Sequence, residues 1–264
     1  MKYFKFWIEK SFNISVGNQL EEINVLAGSN VSKHAATLEA DERAKKIEQR
    51  IAERLPKESY EVAIKEHVDE ILDDSNIISI CRYGAKVLNT EQYTILDLDD
   101  YPIDFFDCLK PLRKLSRKER IVFKFEEKIE RYPILGTDFR IYETTKGIRV
   151  IGKKYFEPAG KEYRKLMRKL NVDWIYIQLS QKQRCYRARI TPKPYRMKFR
   201  TIKVTSPLIC ETENYQNWAT EYEEKSRAFS VVRLIKTIGN DFQYDRVIQH
   251  HDRVCNASAN NKLA

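Results

Sequence analysis

The sequence predicts an α+β protein with a mostly antiparallel sheet. Three observations carry this expectation. Short apolar runs with period-two alternation come in pairs separated by hairpin-sized gaps. Segments with helical periodicity are inserted between those pairs. A regular strand–helix alternation, which would build a parallel sheet, is missing.

The opening KYFKFWIEKSFNISV sets Tyr3, Lys5, Trp7 and Glu9 against Phe4, Phe6 and Ile8, and reads as one or two strands turning at Gly17-Asn18. Gly28 to Ser32 is a loop with Ser32 as a helix N-cap. From His34 to Leu55, residues Ala40, Ala44, Ile47, Ile51 and Leu55 recur at helical spacing, and Pro56 ends the helix. A short strand over Tyr60 to Ile64 and a helix over Lys65 to Leu72 follow. NIISICRY (76–83) is a strand turned by Gly84-Ala85. AKVLN (85–89) and QYTILDLD (92–99) then read as a hairpin across Asn89-Thr90-Glu91.

Residues 113–131 form a charged helix with Ile121, Phe125 and Ile129 on its apolar side. FRIYETTKGIRVIGKKYF (139–156) has the shape of a hairpin turning at Thr145-Lys146-Gly147. A basic helix covers Gly160 to Leu170. Strands are expected over Asp173 to Leu179, Cys185 to Ile190 and Phe199 to Val204. Helices are expected over Asn217 to Ile238 and Val247 to Val254, before a polar tail, NASANNKLA. Three parts result: a mixed strand–helix region over 1–75, a core over 76–210, and C-terminal helices with the tail over 211–264. No linker-like composition separates them and no repeat is present.

Lys and Arg number 48 against 38 Asp and Glu, a formal net charge of +10. That balance favours an anionic partner. The 42% apolar content is enough for a sizeable core. No apolar run reaches bilayer length, and MKYFKFWIEK interleaves charge too densely for a signal peptide. The cysteines Cys81, Cys108, Cys185, Cys210 and Cys255 are scattered without C-x-x-C spacing, which argues against a disulfide framework and a zinc site. A cytoplasmic setting and no membrane partner are therefore expected. Neither a P-loop nor a G-x-G-x-x-G fingerprint occurs.

Three constellations carry possible chemistry. In TILDLDDYP (94–102), Asp97 and Asp99 fall on one strand face, about 7 Å apart by the usual rise per residue. Such a pair can converge on a divalent ion. The alternative is that Asp99-Asp100 opens a turn at Tyr101-Pro102. In ETTKGIRVI (143–151), Lys146 and Gly147 at a hairpin tip, with Arg149 on the returning strand, can approach a phosphate. The alternative is an ordinary turn with exposed basic residues. The stretch from Asp173 to Lys203 has no further acid. It holds Arg184, Arg187, Arg189, Lys193 and Arg196 among Tyr176, Tyr186, Tyr195 and Phe199. Cations that neutralise phosphates and rings that stack bases suit a nucleic-acid groove, although packing tyrosines and a solvated basic run give the same pattern. His250-His251-Asp252 reads as structural, since adjacent histidines diverge on a helix.

Taken in order, these motifs resemble the archaeo-eukaryotic primase superfamily of palm-domain nucleotidyltransferases. The resemblance covers roughly residues 85–205. It rests on Leu96-Asp97-Leu98-Asp99, on Lys146-Gly147-Ile148-Arg149, and on Val172-Asp173 followed by Arg187-Ala188-Arg189 and Pro192-Lys193. It implies a palm or RRM-like antiparallel sheet flanked by helices. It further implies a divalent ion site, Mg2+ or Mn2+, on Asp97, Asp99 and Asp173 as catalytic acids, and nucleoside triphosphate held by Lys146, Gly147 and Arg149. Nucleic acid would lie along Arg184, Arg187, Arg189, Lys193 and Arg196, in a setting of DNA replication or repair. The leading expectation is a primase-polymerase-like nucleotidyltransferase; the family's motif has histidine where this chain has Arg149, a departure that implies altered nucleotide binding or a member that has lost polymerisation, so a catalytically idle, nucleic-acid-binding palm is the alternative. Another Asp-x-Asp enzyme, a glycosyltransferase using a nucleotide sugar or a phosphatase with an Asp nucleophile, and a plain structural or adaptor role are the remaining alternatives.

Overall fold

A computed structural model describes residues 1–17, 19–55, 63–101 and 111–264. The fold is α+β, built mainly from antiparallel sheets. Strands β1 (Phe6–Val16) and β2 (Gln19–Ser29) pair antiparallel along their full length. The Ser32 hydroxyl accepts from the Ala35 N–H at 3.0 Å and starts α1 (Lys33–Ala52). Buried Ala36, Ala40 and Ala44 line one side of α1. Ala40 and Ala44 pack with Val25 and Ala27, flanked by Ile8, Phe12, Ile23 and Ile47. Pro56 and most of the expected strand at Tyr60 to Ile64 lie outside the described residues.

Two four-stranded antiparallel sheets form the centre. One has the order β3-β4-β5-β9 and comprises β3 (His67–Asp73), β4 (Asn76–Ile80), β5 (Lys86–Thr90) and β9 (Tyr186–Arg189). The other has the order β11-β7-β8-β6 and comprises β6 (Thr94–Leu98), β7 (Phe139–Thr144), β8 (Ile148–Gly152) and β11 (Val232–Ile238). The hairpin expected from 85–89 into 92–99 does not form, because β5 and β6 belong to different sheets. Thr90 Oγ1 accepts from the N–H groups of Gln92 and Tyr93 and turns the chain from one sheet into the other.

Direct cross-strand partners share a face. In the second sheet, Leu96, Leu98, Ile148, Val150, Ile141 and Phe139 share one face. It lies against α2 (Arg117–Ile129), where Phe125 meets Phe139 edge-on at 5.6 Å. Ser116 and Glu119 form a capping box that starts this helix. The opposite face carries Asp97, Arg149, Tyr142 and Arg140. Helix α6 (Arg246–Val254) covers its lower part. The His251 ring meets Tyr142 at 5.2 Å, and Arg140 bonds Asp252 at 2.8 Å and the Tyr142 hydroxyl at 2.8 Å. The His-His-Asp segment is thus part of the packing, as its sequence suggests.

Several elements differ from expectation. The helix expected over Lys65 to Leu72 is strand β3, held by antiparallel pairing with β4. The strand expected over Asp173 to Leu179 is helix α4 (Trp174–Gln183). It packs beside α3 (Gly160–Lys169), with Arg168 over the Trp174 ring at 4.5 Å and Ile177 and Ser180 buried one turn apart. Phe199 to Val204 forms no strand; Phe199 instead packs on Trp218 and Tyr222. The long helix expected to Ile238 stops early: α5 (Glu213–Ser226) is followed by β10 (Phe229–Ser230) and then β11, which pairs with β7. The expected polar tail is tied down as well. β12 (Lys262–Leu263) pairs parallel with β10, and Ala257 and Ala264 are buried.

Cys81, Cys185, Cys210 and Cys255 are buried free thiols, while Cys108 lies outside the described residues. Among the described residues, no helix is long and apolar enough to cross a membrane.

Candidate functional site

A cleft of about 460 Å³ opens where the end of β6, the β7–β8 hairpin tip, the start of α4 and β9 meet. The turn of residues 193–196 closes its rim. All three candidate acids, Asp97, Asp99 and Asp173, line it, together with Lys146, Arg149, Arg187, Arg189, Lys193 and Arg196. Gly147 is not a lining residue, and neither is Arg184, which caps the end of α4 in the left-handed region.

β6 is buried throughout except at Asp97, whose side chain keeps 37% exposure. The β6–β8 register puts Arg149 directly opposite Asp97. The guanidinium donates from Nε to Asp97 Oδ1 at 3.0 Å, from Nη2 to Oδ2 at 3.5 Å, and from Nη1 to the Arg189 carbonyl at 2.8 Å. Its side chain is only 4% exposed. Burial opposes its charge, but the adjacent Asp97 carboxylate outweighs burial and holds the Arg149 pKa above its ordinary value.

The other two acids are placed differently. Asp99 is exposed at the strand end. The neighbouring Asp100 makes the turn contacts, accepting from the Tyr101 N–H at 2.8 Å and pairing with Arg117 at 3.5 Å. Asp173 opens a helix instead of the expected strand: its Oδ1 accepts from the Tyr176 N–H at 2.9 Å as the N-cap of α4. The carboxylates therefore share a cleft without forming a ligand set. Asp97 is matched by a guanidinium and Asp173 by a backbone donor. Among the described residues, no group of three His, Cys, Asp or Glu side chains is arranged to hold a metal ion. The three acids that the primase resemblance assigns to divalent ions are here a paired carboxylate, an exposed one and a helix cap.

The hairpin tip is tight for a different reason from phosphate approach. Thr144 N–H donates to the Gly147 carbonyl at 2.9 Å, and Gly147 N–H donates to Thr144 Oγ1 at 3.0 Å. A Cβ at Gly147 would lie 2.2 Å from the Leu98 carbonyl oxygen and 2.9 Å from the Asp99 Cα. The end of β6 occupies the space that glycine leaves. Lys146 stands exposed beside it on the cleft wall.

On β9, Arg187 and Arg189 share a face, as the strand period requires. Arg187 is committed to the interior: it pairs with Glu66, which also accepts from Ser79 Oγ. Arg189 donates to the Thr191 carbonyl at 2.7 Å and, among the described residues, has no carboxylate partner. Burial, together with the like charges of Arg149 and Arg196, lowers its pKa. Lys193 lies over the rings of Tyr83 at 5.7 Å and Tyr195 at 5.9 Å, and Arg196 approaches Tyr195 at 5.9 Å. The Tyr195 ring is 57% exposed.

Three contributors were not singled out from the sequence. Glu66 arrives from the segment before β3 and neutralises Arg187. Arg82 and Tyr83 line the cleft from the turn after β4. The Cys81–Tyr83 run reads only as the end of an apolar strand, so just the fold reveals its position. With Arg149 and Arg187 matched, Arg82, Lys146, Arg189, Lys193 and Arg196 lack a carboxylate partner among the described residues, and Asp99 and Asp173 are the only acids left facing them. The cleft is electropositive.

No family model matches the chain, and no curated protein or solved structure matches it.

Proposed function

We propose that the cleft binds a phosphate-bearing polyanion, with nucleic acid as the ligand class. The observation that carries this reading is the group of five cations around one groove that lack a carboxylate partner among the described residues, with the exposed Tyr195 ring held between two of them. Lys and Arg contribute the salt-dependent attraction to phosphates, and an exposed ring beside them offers a face to a base. Fluorescence anisotropy with a labelled oligonucleotide, titrated with salt, tests it. Lys193→Ala/Arg196→Ala is expected to weaken binding and to flatten the log–log salt slope by about 1.4 for two lost phosphate contacts on a single strand. Wild-type affinity and slope in that variant would remove the cleft as the binding site.

A second reading, a primase-like nucleotidyltransferase, is favoured by one observation: Asp97, Asp99, Asp173 and Lys146 line the same cleft. Primer extension with Mg2+ or Mn2+ tests it, comparing wild type with Asp97→Ala. Product from wild type alone supports it; absence of product across templates and metals removes it.

A further inference from the structure

We propose that Arg149 is a tethered counter-cation for Asp97, so that the cleft holds its anionic ligand without a divalent metal. This deepens the polyanion reading and rests on it for the identity of the ligand, although the charge argument stands on geometry alone.

Arg149 does not project into the groove as a free phosphate donor would. Its Nε and Nη2 are directed at the two oxygens of Asp97, and Nη1 is taken by the Arg189 carbonyl. The guanidinium is held from two sheets, by a side chain on β6 and a backbone oxygen on β9, and is almost fully enclosed. A divalent ion seated on the guanidinium side of Asp97 would displace it, and one on the exposed side of the carboxylate would stand directly beside it. The displaced guanidinium remains charged at any ordinary pH, and it would be left buried beside a dication with Arg189 and Arg196 close by. Burial and, after it, the like charges of Arg149 and Arg196 lower the pKa of Arg189, so cationic side chains already crowd this spot. Neither remaining acid offsets this: Asp99 is a single exposed carboxylate, and Asp173 has one oxygen turned to its helix cap. Mg2+ sites ordinarily recruit an ion with one or two carboxylates plus ligand phosphates. Here the charge that such an ion would bring is built into the chain, and ligand phosphates meet Lys146, Arg189, Lys193 and Arg196 directly.

The test is Mn2+ titration of the full chain followed by electron paramagnetic resonance, with no nucleic acid present. Wild type and Asp97→Asn are expected to bind Mn2+ equally weakly. Arg149→Gln, which removes the cation and keeps a hydrogen-bonding head, is expected to gain at least about tenfold in Mn2+ affinity, equivalent to about 1.4 kcal/mol. That gain should disappear in Arg149→Gln/Asp97→Asn. Wild-type Mn2+ binding that is lost in Asp97→Asn overturns the proposal. So does a folded Arg149→Gln protein, checked by circular dichroism, that gains nothing. Should Arg149→Gln fail to fold, the comparison of wild type with Asp97→Asn decides alone. A failure of oligonucleotide binding would remove the polyanion reading and leave this metal result standing, so the two failures are distinguishable.

Discussion

Replacing Asp97 by alanine separates two accounts of the cleft by the sign of a stability change. If Asp97 belonged to a cluster of mutually repelling acids awaiting a metal, its removal would leave stability unchanged or raise it. The structure gives the opposite expectation, because the change strands the Arg149 guanidinium, which is 4% exposed. Breaking a fully buried pair costs about 3–5 kcal/mol, and an exposed one contributes about 0.2–1 kcal/mol. Asp97 keeps 37% exposure, so water screens its end of the pair, and the intermediate value of about 2 kcal/mol follows from those two limits. For a chain of this size that lowers Tm by about 4–8 °C. Differential scanning fluorimetry in metal-free buffer measures the shift. A cycle with Arg149→Met and the double variant isolates the pair itself, because the double variant should lose less than the two singles together. Asp99→Ala serves as the control; its exposed side chain predicts a change within about 0.5 kcal/mol. An unchanged or raised Tm for Asp97→Ala would refute the reasoning and return Asp97 to the candidate metal ligands.

The remaining expectations concern the tip, the rim and the packing beneath. Gly147→Ala drives a Cβ to 2.2 Å from the Leu98 carbonyl oxygen, so the hairpin tip or the end of β6 must move; a loss of about 1–3 kcal/mol is expected in urea unfolding. Arg184→Ala should leave oligonucleotide affinity within about twofold of wild type, because Arg184 does not line the cleft, while each rim cation removed weakens binding and reduces the salt slope. His251 is buried beside Cys255, Asp252 and Tyr142, with Arg140 bonded to the far oxygen of Asp252. Burial disfavours its charge, but Cys255 and Asp252 outweigh burial and push its pKa up to about 9. A pKa raised on folding adds stability in full below the ordinary histidine value near 6.5 and loses it as pH rises through about 9. Urea midpoints should therefore fall between pH 6.5 and 9.5 in wild type, and much less in His251→Gln.

How much of this was legible in the sequence depended on whether local pattern or tertiary contact decided each segment. The β7–β8 hairpin and α2 carried their own signals: a Thr-Lys-Gly turn in one, and Ile121, Phe125 and Ile129 at helical spacing in the other. Trp174-Ile175-Tyr176-Ile177 has the composition of a strand. It is helical because Asp173 caps it and Arg168 of α3 packs on its first ring, and neither contact shows in composition. Val232 and Ile235 continue the helical spacing of α5 by accident. Their segment is a strand because β7 supplies a partner edge, and the irregular register between Leu234 and Lys236 blurs its alternation. The site divided the same way. Spacing put Asp97 with Asp99, and Arg187 with Arg189, on common strand faces, and the primase resemblance added Asp173; all five line the cleft. What it missed was the pairing between strands, which decides which charges remain free.

That pairing follows from the sheet itself. Asp97 faces Arg149 because β6 and β8 run antiparallel in this register, with Leu98 opposite Ile148 and Leu96 opposite Val150. Slipping β6 by one residue would turn Leu96 and Leu98 away from the apolar core and send Asp97 into it, so the buried leucines that stabilise the sheet also fix the ion pair. The consequence reaches the whole cleft. Unpaired, Asp97 and Arg149 would add one acid and one cation to the cleft and leave its excess unchanged; paired, they leave two acids and five cations free to meet a ligand. The N-terminal arm adds nothing to this, since residues 1–55 hold nine basic and eight acidic side chains and the excess of +10 resides almost entirely beyond them. The chain thus concentrates its positive charge in the part that carries the groove, and the hydrophobic register of one strand fixes which of the groove's charges are paired and which stand free.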